Sequence, residues 1–557
     1  MRFQSLLFLA ALTACGVENE KPDAPVPSLA ILDAHIWTGD PDNPVAEAVL
    51  MGGGRILAVG TSEEIRSQLT GAEVIDGTGR FVTPGFIDTH VHFLDGGFKL
   101  ASVQLRDAAS PQEFARRIGA FAETVPEGTW ITGGDWDHQL WGGELPHRGM
   151  IDELTPRHPV WVNRLDGHMA LANSVALAAA GITKDTEEIA GGTIERDGTG
   201  ERDGTGEPTG VLKDNAMNLV YDVLPAPGDA ANDRALEAAM SYVAAQGVTT
   251  VHQMGSFEAL EVFRRARERG TLETRIYAAV PLASWERLRD YVDEHGRGDA
   301  WLSFGALKGF VDGSLGSHTA AFHEPFDDQP NDRGLLLNTE DELYRWIAGA
   351  DAERLHVIIH AIGDRANQTL LDIFERVSEE NGARDRRFRI EHAQHLSPED
   401  IPRFSELGVI PAMQPYHAID DGRWAERYIG PTRIQTTYAF KSLLDAEARL
   451  VFGSDWTVAP ATPLEGIYAA VTRRTLDGAN PDGWVPEQKI SVEQALVAYT
   501  RNAAYASFEE RDKGMVKVGY LADLTMIDRN LMTVPPEEIK DARITMTIVN
   551  GDVIYQP

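Results

Sequence analysis

Cysteine is almost missing from this chain. Its 557 residues include one, Cys15, so no internal disulfide can hold the fold together. Long apolar runs are missing as well. The apolar stretch at residues 5–12 is too short to span a bilayer, which takes about 20 residues. Basic charge is scarce against acid: 51 Lys and Arg face 85 Asp and Glu, a net charge of −34. Nucleic-acid binding needs basic patches that neutralise phosphates, so this balance excludes it, and it also argues against adsorption of the folded part to anionic lipid. Solubility or salt adaptation accounts for the acid excess; a preference for cationic substrates is the weaker alternative. There is no Gly-x-Ser-x-Gly element and no Gly-rich loop of the P-loop type, which removes the usual signatures of a serine nucleophile and of a nucleotide-phosphate cradle.

What is present is globular. A hydrophobic fraction of 43% with 24% charged residues can bury a large core, and the length calls for more than one domain. Residues 1–14 join a basic start, Met1-Arg2, to the short apolar run and to Leu12-Thr13-Ala14 before Cys15, which resembles a bacterial lipoprotein signal peptide. That implies cleavage before Cys15, lipidation of its thiol, and a polar tether over 15–28. The protein is then expected to be exported, a cell-envelope lipoprotein on the periplasmic face or outer membrane, touching membrane through this lipid anchor alone.

Along the remainder, short strands and glycine turns occupy 29–82 and return over 505–557, which predicts a small β-sandwich formed by both termini. Between them, over 83–504, apolar strands alternate with amphipathic helices. Eight candidate strands lie at 86–92, 249–254, 275–280, 306–311, 356–361, 388–391, 409–413 and 450–453. The fold class is therefore α/β, a (β/α)8 TIM-like barrel. The first two strands are too far apart for one crossover helix, so 94–233 reads as a large insertion at the C-terminal face. It contains a tandem hexapeptide, 195–200 and 201–206, read as a lengthened surface hairpin loop rather than a calcium site.

The chemistry concentrates at strand ends. In Pro84-Gly85-Phe86-Ile87-Asp88-Thr89-His90-Val91-His92, residues two apart share a face, so His90 and His92 project together into the barrel, where neutral imidazoles bind a divalent metal. His360, His392 and Asp455 each end an apolar run, at the barrel face where active sites lie. Lys308 lies on the fourth strand. A buried lysine there must be neutralised, either by carbamylation into an anion that bridges two metals or by pairing with an acid such as Asp312. His252 ends the second strand, as a cavity contact or as filling. Trp136, Trp141, Tyr416 and Trp456 are candidates for an aromatic pocket. His318, His395 and His417 carry no distinct role.

These motifs, with Leu165-Asp166-Gly167-His168, the stretch 308–320, Ile390-Glu391-His392-Ala393, Gly453-Ser454-Asp455-Trp456 and Gly519-Tyr520-Leu521-Ala522-Asp523-Leu524, resemble the amidohydrolase superfamily, in its YtcJ-like branch. The resemblance implies one or two divalent metal ions, zinc above all. His90 and His92 would hold a more buried ion and His360 and His392 a second, with a carboxylated Lys308 between them. Asp455 would be both ligand and proton shuttle, His168 a substrate or oxyanion contact, and Asp88 a structural support. A zinc-bound water has its pKa lowered from about 15.7 to about 7, so hydroxide attack on a carbonyl needs no protein nucleophile. The implied reaction is hydrolysis of a non-peptide carbon–nitrogen bond, of amide or formamide type, in a small-molecule substrate. Deaminase, lactonase or dipeptidase chemistry on the same barrel stays open, as does a non-catalytic solute-binding lipoprotein. A homodimer follows from the resemblance only.

Overall fold

The computed structural model of the chain describes residues 25–198 and 206–557. Cys15 and its signal lie outside these residues, as does most of the hexapeptide repeat.

Eight parallel strands form one sheet that curls into a nearly closed TIM-like barrel. In chain order they are β1 Phe86–Val91, β2 Val248–Met254, β3 Arg275–Pro281, β4 Leu302–Phe310, β5 His356–Ala361, β6 Arg389–His392, β7 Ile410–Met413 and β8 Val451–Phe452. Each pairs with its sequential neighbour. Helices wrap the outside, so strand residues are buried on both faces, as in β1 and β5, where every residue is buried. The helix at Asp364–Glu380 shows the outer layer's logic. Ala366, Leu370, Leu371, Phe374 and Val377 recur at helical spacing and face the barrel.

The seam between β8 and β1 is closed by loop contacts. Asp455 N–H donates to His90 O at 2.7 Å and His92 N–H to Trp456 O at 2.5 Å. Beneath them Asp88 Oδ1 accepts from Ser454 N–H at 2.8 Å. Gly453 is required here: a Cβ would lie 2.6 Å from His90 N.

Strands from both chain ends share one six-stranded sheet. Its order runs Asp552–Tyr555, Ile544–Val549, Leu524–Ile527, Phe81–Pro84, His35–Trp37, Val45–Ala46. A four-stranded sheet of N-terminal strands lies against it, and Ile31, Met51, Leu524 and Ile548 belong to one buried cluster between them. The unit is fastened to the barrel by a buried two-pronged ion pair, Arg275 of β3 on Asp523, at 2.7 and 2.9 Å.

The segment between β1 and β2 carries a six-stranded sheet of its own, from Val103–Gln104 to Pro208–Asp214, over a separate core that includes Phe114, Trp136 and Val162. Two of its strands, Ile131–Trp136 and Val160–Arg164, coincide with the apolar runs that the sequence shows at 130–132 and 160–162; the remaining four are short or rich in glycine and polar residues. Among the described residues no helix is long and apolar enough to cross a membrane.

Candidate active site

His90, His392 and Asp455 converge at the C-terminal mouth of the barrel. One ligand atom from each lies within 4.8 Å of the others, and all three residues are buried. The ring centroids of His90 and His92 are 5.8 Å apart, those of His90 and His392 5.0 Å, and those of His360 and His392 4.5 Å. Backbone strain helps gather them. His392, Ala393 and Asp455 take left-handed φ values of 71°, 43° and 58°. Such values cost non-glycine residues energy and cluster at functional sites. At His392 the turn breaks strand alternation, so Glu391 and His392 both reach His90.

Each imidazole but His92 has one nitrogen pinned by an acceptor. His90 Nδ1 faces Glu391 Oε2 at 2.5 Å, His392 Nδ1 faces Gln414 Oε1 at 2.8 Å, and His360 Nε2 faces Gly313 O at 3.0 Å. Carboxylate, amide and carbonyl oxygens only accept, so these nitrogens carry the proton. The lone pair is left on Nε2 of His90 and His392 and on Nδ1 of His360. This is how neutral histidines are held as metal ligands. Burial also drives the pKa of His90, His360 and His392 well below the ordinary imidazole value, with neighbouring cationic groups adding to it.

Asp455 supplies the negative charge. Its Oδ1 stands 3.4 Å from His90 Nε2 and 3.3 Å from His92 Nε2. The same buried oxygen has no hydrogen-bond partner among the described residues. Burial pushes the carboxyl up, but His92, His417 and Lys308 together hold it below the usual carboxylate value. Lys308 Nζ lies 3.1 Å from His90 Nε2, and burial lowers its pKa to about 8. It does not pair with Asp312. That carboxylate is taken by three backbone N–H groups, of Ala321 at 2.7 Å, Ile362 at 2.9 Å and Gly363 at 2.8 Å, which lock the loop after β4 to the end of β5. Imidazoles with lone pairs turned from their pinned nitrogens, an orphaned carboxylate oxygen and a buried amine that donates to His90 Nε2 form a donor set that fits a divalent ion.

The mouth opens into a cavity of about 1050 Å³, with His90, His92, Lys308, His360, His392 and Asp455 at its floor. His168 reaches it from the insertion. Its Nδ1 faces Asp214 Oδ1 at 2.6 Å, and its ring lies 5.0 Å from that of His360. Burial works against an imidazolium here, but Asp214, Asp166 and Asp312 outweigh it and raise the pKa of His168.

The amidohydrolase family model matches residues 73–555. The chain belongs to this family. Among curated relatives it is 38% identical to Protein LONG AFTER FAR-RED 3 of Arabidopsis thaliana, over 96% of this chain and 92% of that one. It is 29% identical to the putative amidohydrolase YtcJ of Bacillus subtilis, over 94% and 98%. It is 30% identical to the N-substituted formamide deformylase of Arthrobacter pascens, over 95% and 98%. Of solved structures, an uncharacterized metal-dependent hydrolase from Pyrococcus horikoshii superposes with a TM-score of 0.74 at 27% identity, covering 91% of this chain and 99% of that one. The protein is thus a hydrolase of carbon–nitrogen bonds, with a candidate metal site at His90, His392 and Asp455.

Three residues expected in this amidohydrolase's pocket lie outside the cavity wall. His252 is sealed inside the barrel, its Nδ1 accepting from Arg389 Nη1 at 2.9 Å. Trp136 is fully buried in the insertion's core with its N–H on Val162 O at 2.8 Å. Tyr416 is turned away under Arg106, whose guanidinium is 6.0 Å from the ring. Each residue falls in the right segment, but Trp136 and Tyr416 turn away from the cavity and His252 lies deeper inside the barrel. Trp141 and Trp456 also lie off the wall, and His318 and His395 are held by Asp328 and Thr437. His417 does line the cavity, its ring parallel to that of His392 at 6.4 Å. Glu391, Gln414 and Asp214 were missed. Glu391 had a signal, since Arg389 and Glu391 share one strand face and one must answer the other's charge. Asp214 comes from a distant strand and had none.

Proposed function

We propose that this amidohydrolase is a metal-dependent hydrolase of a non-peptide amide or formamide-type carbon–nitrogen bond, with one or two zinc ions as cofactor. The observation that carries the reading is the orphaned Oδ1 of Asp455, set among imidazoles whose lone pairs face the same point. The relative from Arthrobacter pascens supports the formamide-type bond. His90, His92 and Asp455 would hold the first ion and His360 and His392 the second, with a carboxylated Lys308 as the bridge shared by the two positions. A divalent ion there supplies Lewis-acid activation of water and of the scissile carbonyl.

The chain's own groups do the rest. Asp455, held ionised, takes the proton of the attacking water and returns it to the departing nitrogen. His168, favoured as the imidazolium by Asp214, Asp166 and Asp312, donates Nδ1–H to Asp214 and presents Nε2–H to the carbonyl oxygen as it gathers charge. Glu391 and Gln414 fix the orientation of His90 and His392 so that none of this waits on reorganisation. As for the setting, we read the two terminal sheets as a small β-sandwich domain, on the support of their shared core. The start of the sequence supports export and anchoring through Cys15, and family resemblance supports a homodimer.

The test is metal content per chain, on protein purified without chelators and on Lys308→Ala. About two equivalents, falling on loss of Lys308, is the expected result. One equivalent insensitive to Lys308 would remove the bridge, and none would overturn the metal-hydrolase reading.

A further inference from the structure

The cavity has two walls of different chemistry and different origin. The barrel supplies the polar floor. The outer wall comes from the insertion: Phe98 from the helix Phe93–Leu100, Phe121 from Pro111–Ala122, Trp130 ahead of strand Ile131–Trp136, Trp161 from Val160–Arg164, Tyr221 from Asn218–Tyr221, and Leu224 from the loop beyond. Six apolar side chains on separate segments face a space that nothing in the described chain fills. Phe98, Phe121, Trp130 and Leu224 are each half-buried, and Tyr221 is 41% exposed. Apolar surface gathered around a cavity is what a ligand's apolar group covers. The volume, about 1050 Å³, stands at the top of the range of roughly 300–1,000 Å³ typical of sites for drug-sized ligands, so a small formamide would leave most of it empty.

Charge narrows the class further. Three Lys and Arg side chains line the cavity, two of them committed to neighbouring oxygens and the third set in the metal site, and His168 stands beside that floor next to His360. Lys99 is held by Asp135 and Thr457, Arg164 Nη1 lies 2.6 Å from Asp166 Oδ2, and Lys308 sits at the floor against His90. The wall also carries Asp95, Asp166, Asp420 and Asp421. A substrate carboxylate carried out to the apolar wall, away from His168 and the metal floor, would lose its water with no free Lys or Arg to receive it.

We infer that the insertion forms an acceptor chamber for a bulky uncharged apolar group, so that the enzyme's substrates are amides with a large hydrophobic substituent and amides whose substituent ends in a carboxylate are excluded. This rests on the amide-hydrolase reading above, so the experiment reads binding and turnover separately. The metal-loaded protein is titrated with N-methyl-, N-hexyl- and N-decylformamide and with 6-formamidohexanoate, following tryptophan fluorescence and, in parallel, formate release. Affinity is expected to rise about threefold to fourfold per methylene, the fold-change that burial of one CH₂ yields. 6-Formamidohexanoate should bind at least about 100-fold more weakly than the hexyl compound. The dependence on chain length should flatten in Trp130→Ala and in Leu224→Ala, two variants in separate segments. A flat series, or equal binding of the anionic compound, overturns the inference. Rising affinity with no formate released upholds the chamber and sinks the amide-hydrolase reading instead.

Discussion

Glu391→Met separates the two tasks of a buried carboxylate. Glu391 is fully buried; one oxygen receives His90 Nδ1 at 2.5 Å and the other pairs with Arg389 at 2.8 Å. Methionine keeps most of the volume and removes both acceptors. Arg389, itself fully buried, is left with only neutral partners, the carbonyl of Thr89 and His252 Nδ1. Removing one partner of a buried ion pair costs about 3–5 kcal/mol, and that loss should appear in denaturant unfolding of the metal-free protein. His90 also loses the acceptor that keeps its lone pair on Nε2. Loss of such a partner costs about 10–100-fold in metal affinity or activity, which competition with a chelator measures. The decisive variant is Glu391→Met with Arg389→Met. Removing both charges should restore most of the stability, because an ion pair replaced by well-packed apolar groups is close to neutral. It should leave metal affinity low. Glu391→Gln, which keeps an acceptor oxygen for His90, should fall between. Wild-type metal affinity in Glu391→Met would refute the claim that this carboxylate sets the tautomer of His90; metal affinity restored with stability in the double variant would show that the single change acted through folding.

Asp455→Asn should lower kcat by at least about 10²-fold, the lower end of what a general acid–base contributes, while much of the bound metal is kept; steady-state kinetics beside metal analysis checks both. His168→Asn should lower kcat by about 10²–10³-fold with little change in KM, and Asp214→Asn should do the same to a smaller degree, which a KM shift without loss of kcat would contradict. His356 is buried between Tyr277 and the carbonyl of Arg387, and burial lowers its pKa to about 3. The folded protein keeps it neutral, whereas the unfolded chain takes up a proton below about pH 6.5. Its contribution is thus present above pH 6.5 and lost as pH falls toward 3. Relative to His356→Gln, the metal-free wild type should lose about 1.4 kcal/mol per pH unit below 6.5, as read by unfolding at pH 7.5 and 5.5. A parallel pH dependence in the two proteins would mean that His356 is protonated in the fold.

The barrel was legible because a parallel strand covered on both faces must be a short continuous apolar run, and eight such runs recur between helical stretches. Each predicted strand overlaps the observed one, including 356–361 residue for residue. The candidate site was legible for a related reason: a histidine, lysine or aspartate that ends or interrupts an apolar run has nowhere to go but the mouth or interior of a barrel. His90, His92, Lys308, His360, His392 and Asp455 therefore appear together at the cavity floor.

Tertiary structure decided what surrounds them. Whether Lys308 met Asp312 depended on three backbone N–H groups, one from further along its own loop and two from the end of β5, which hold that carboxylate. His252 was read on the right strand but sits deeper than the cavity, because burial depth along a strand depends on barrel tilt, which one strand's sequence does not carry. The partners that orient each imidazole, Glu391, Gln414 and Asp214, stand 301, 22 and 46 residues from the groups they hold. Local sequence determines periodicity, and with it strands, helices and the face each side chain takes. Which faces meet is settled by packing over the whole chain, and in this protein the apolar chamber of the insertion and the protonation of each histidine follow from that packing.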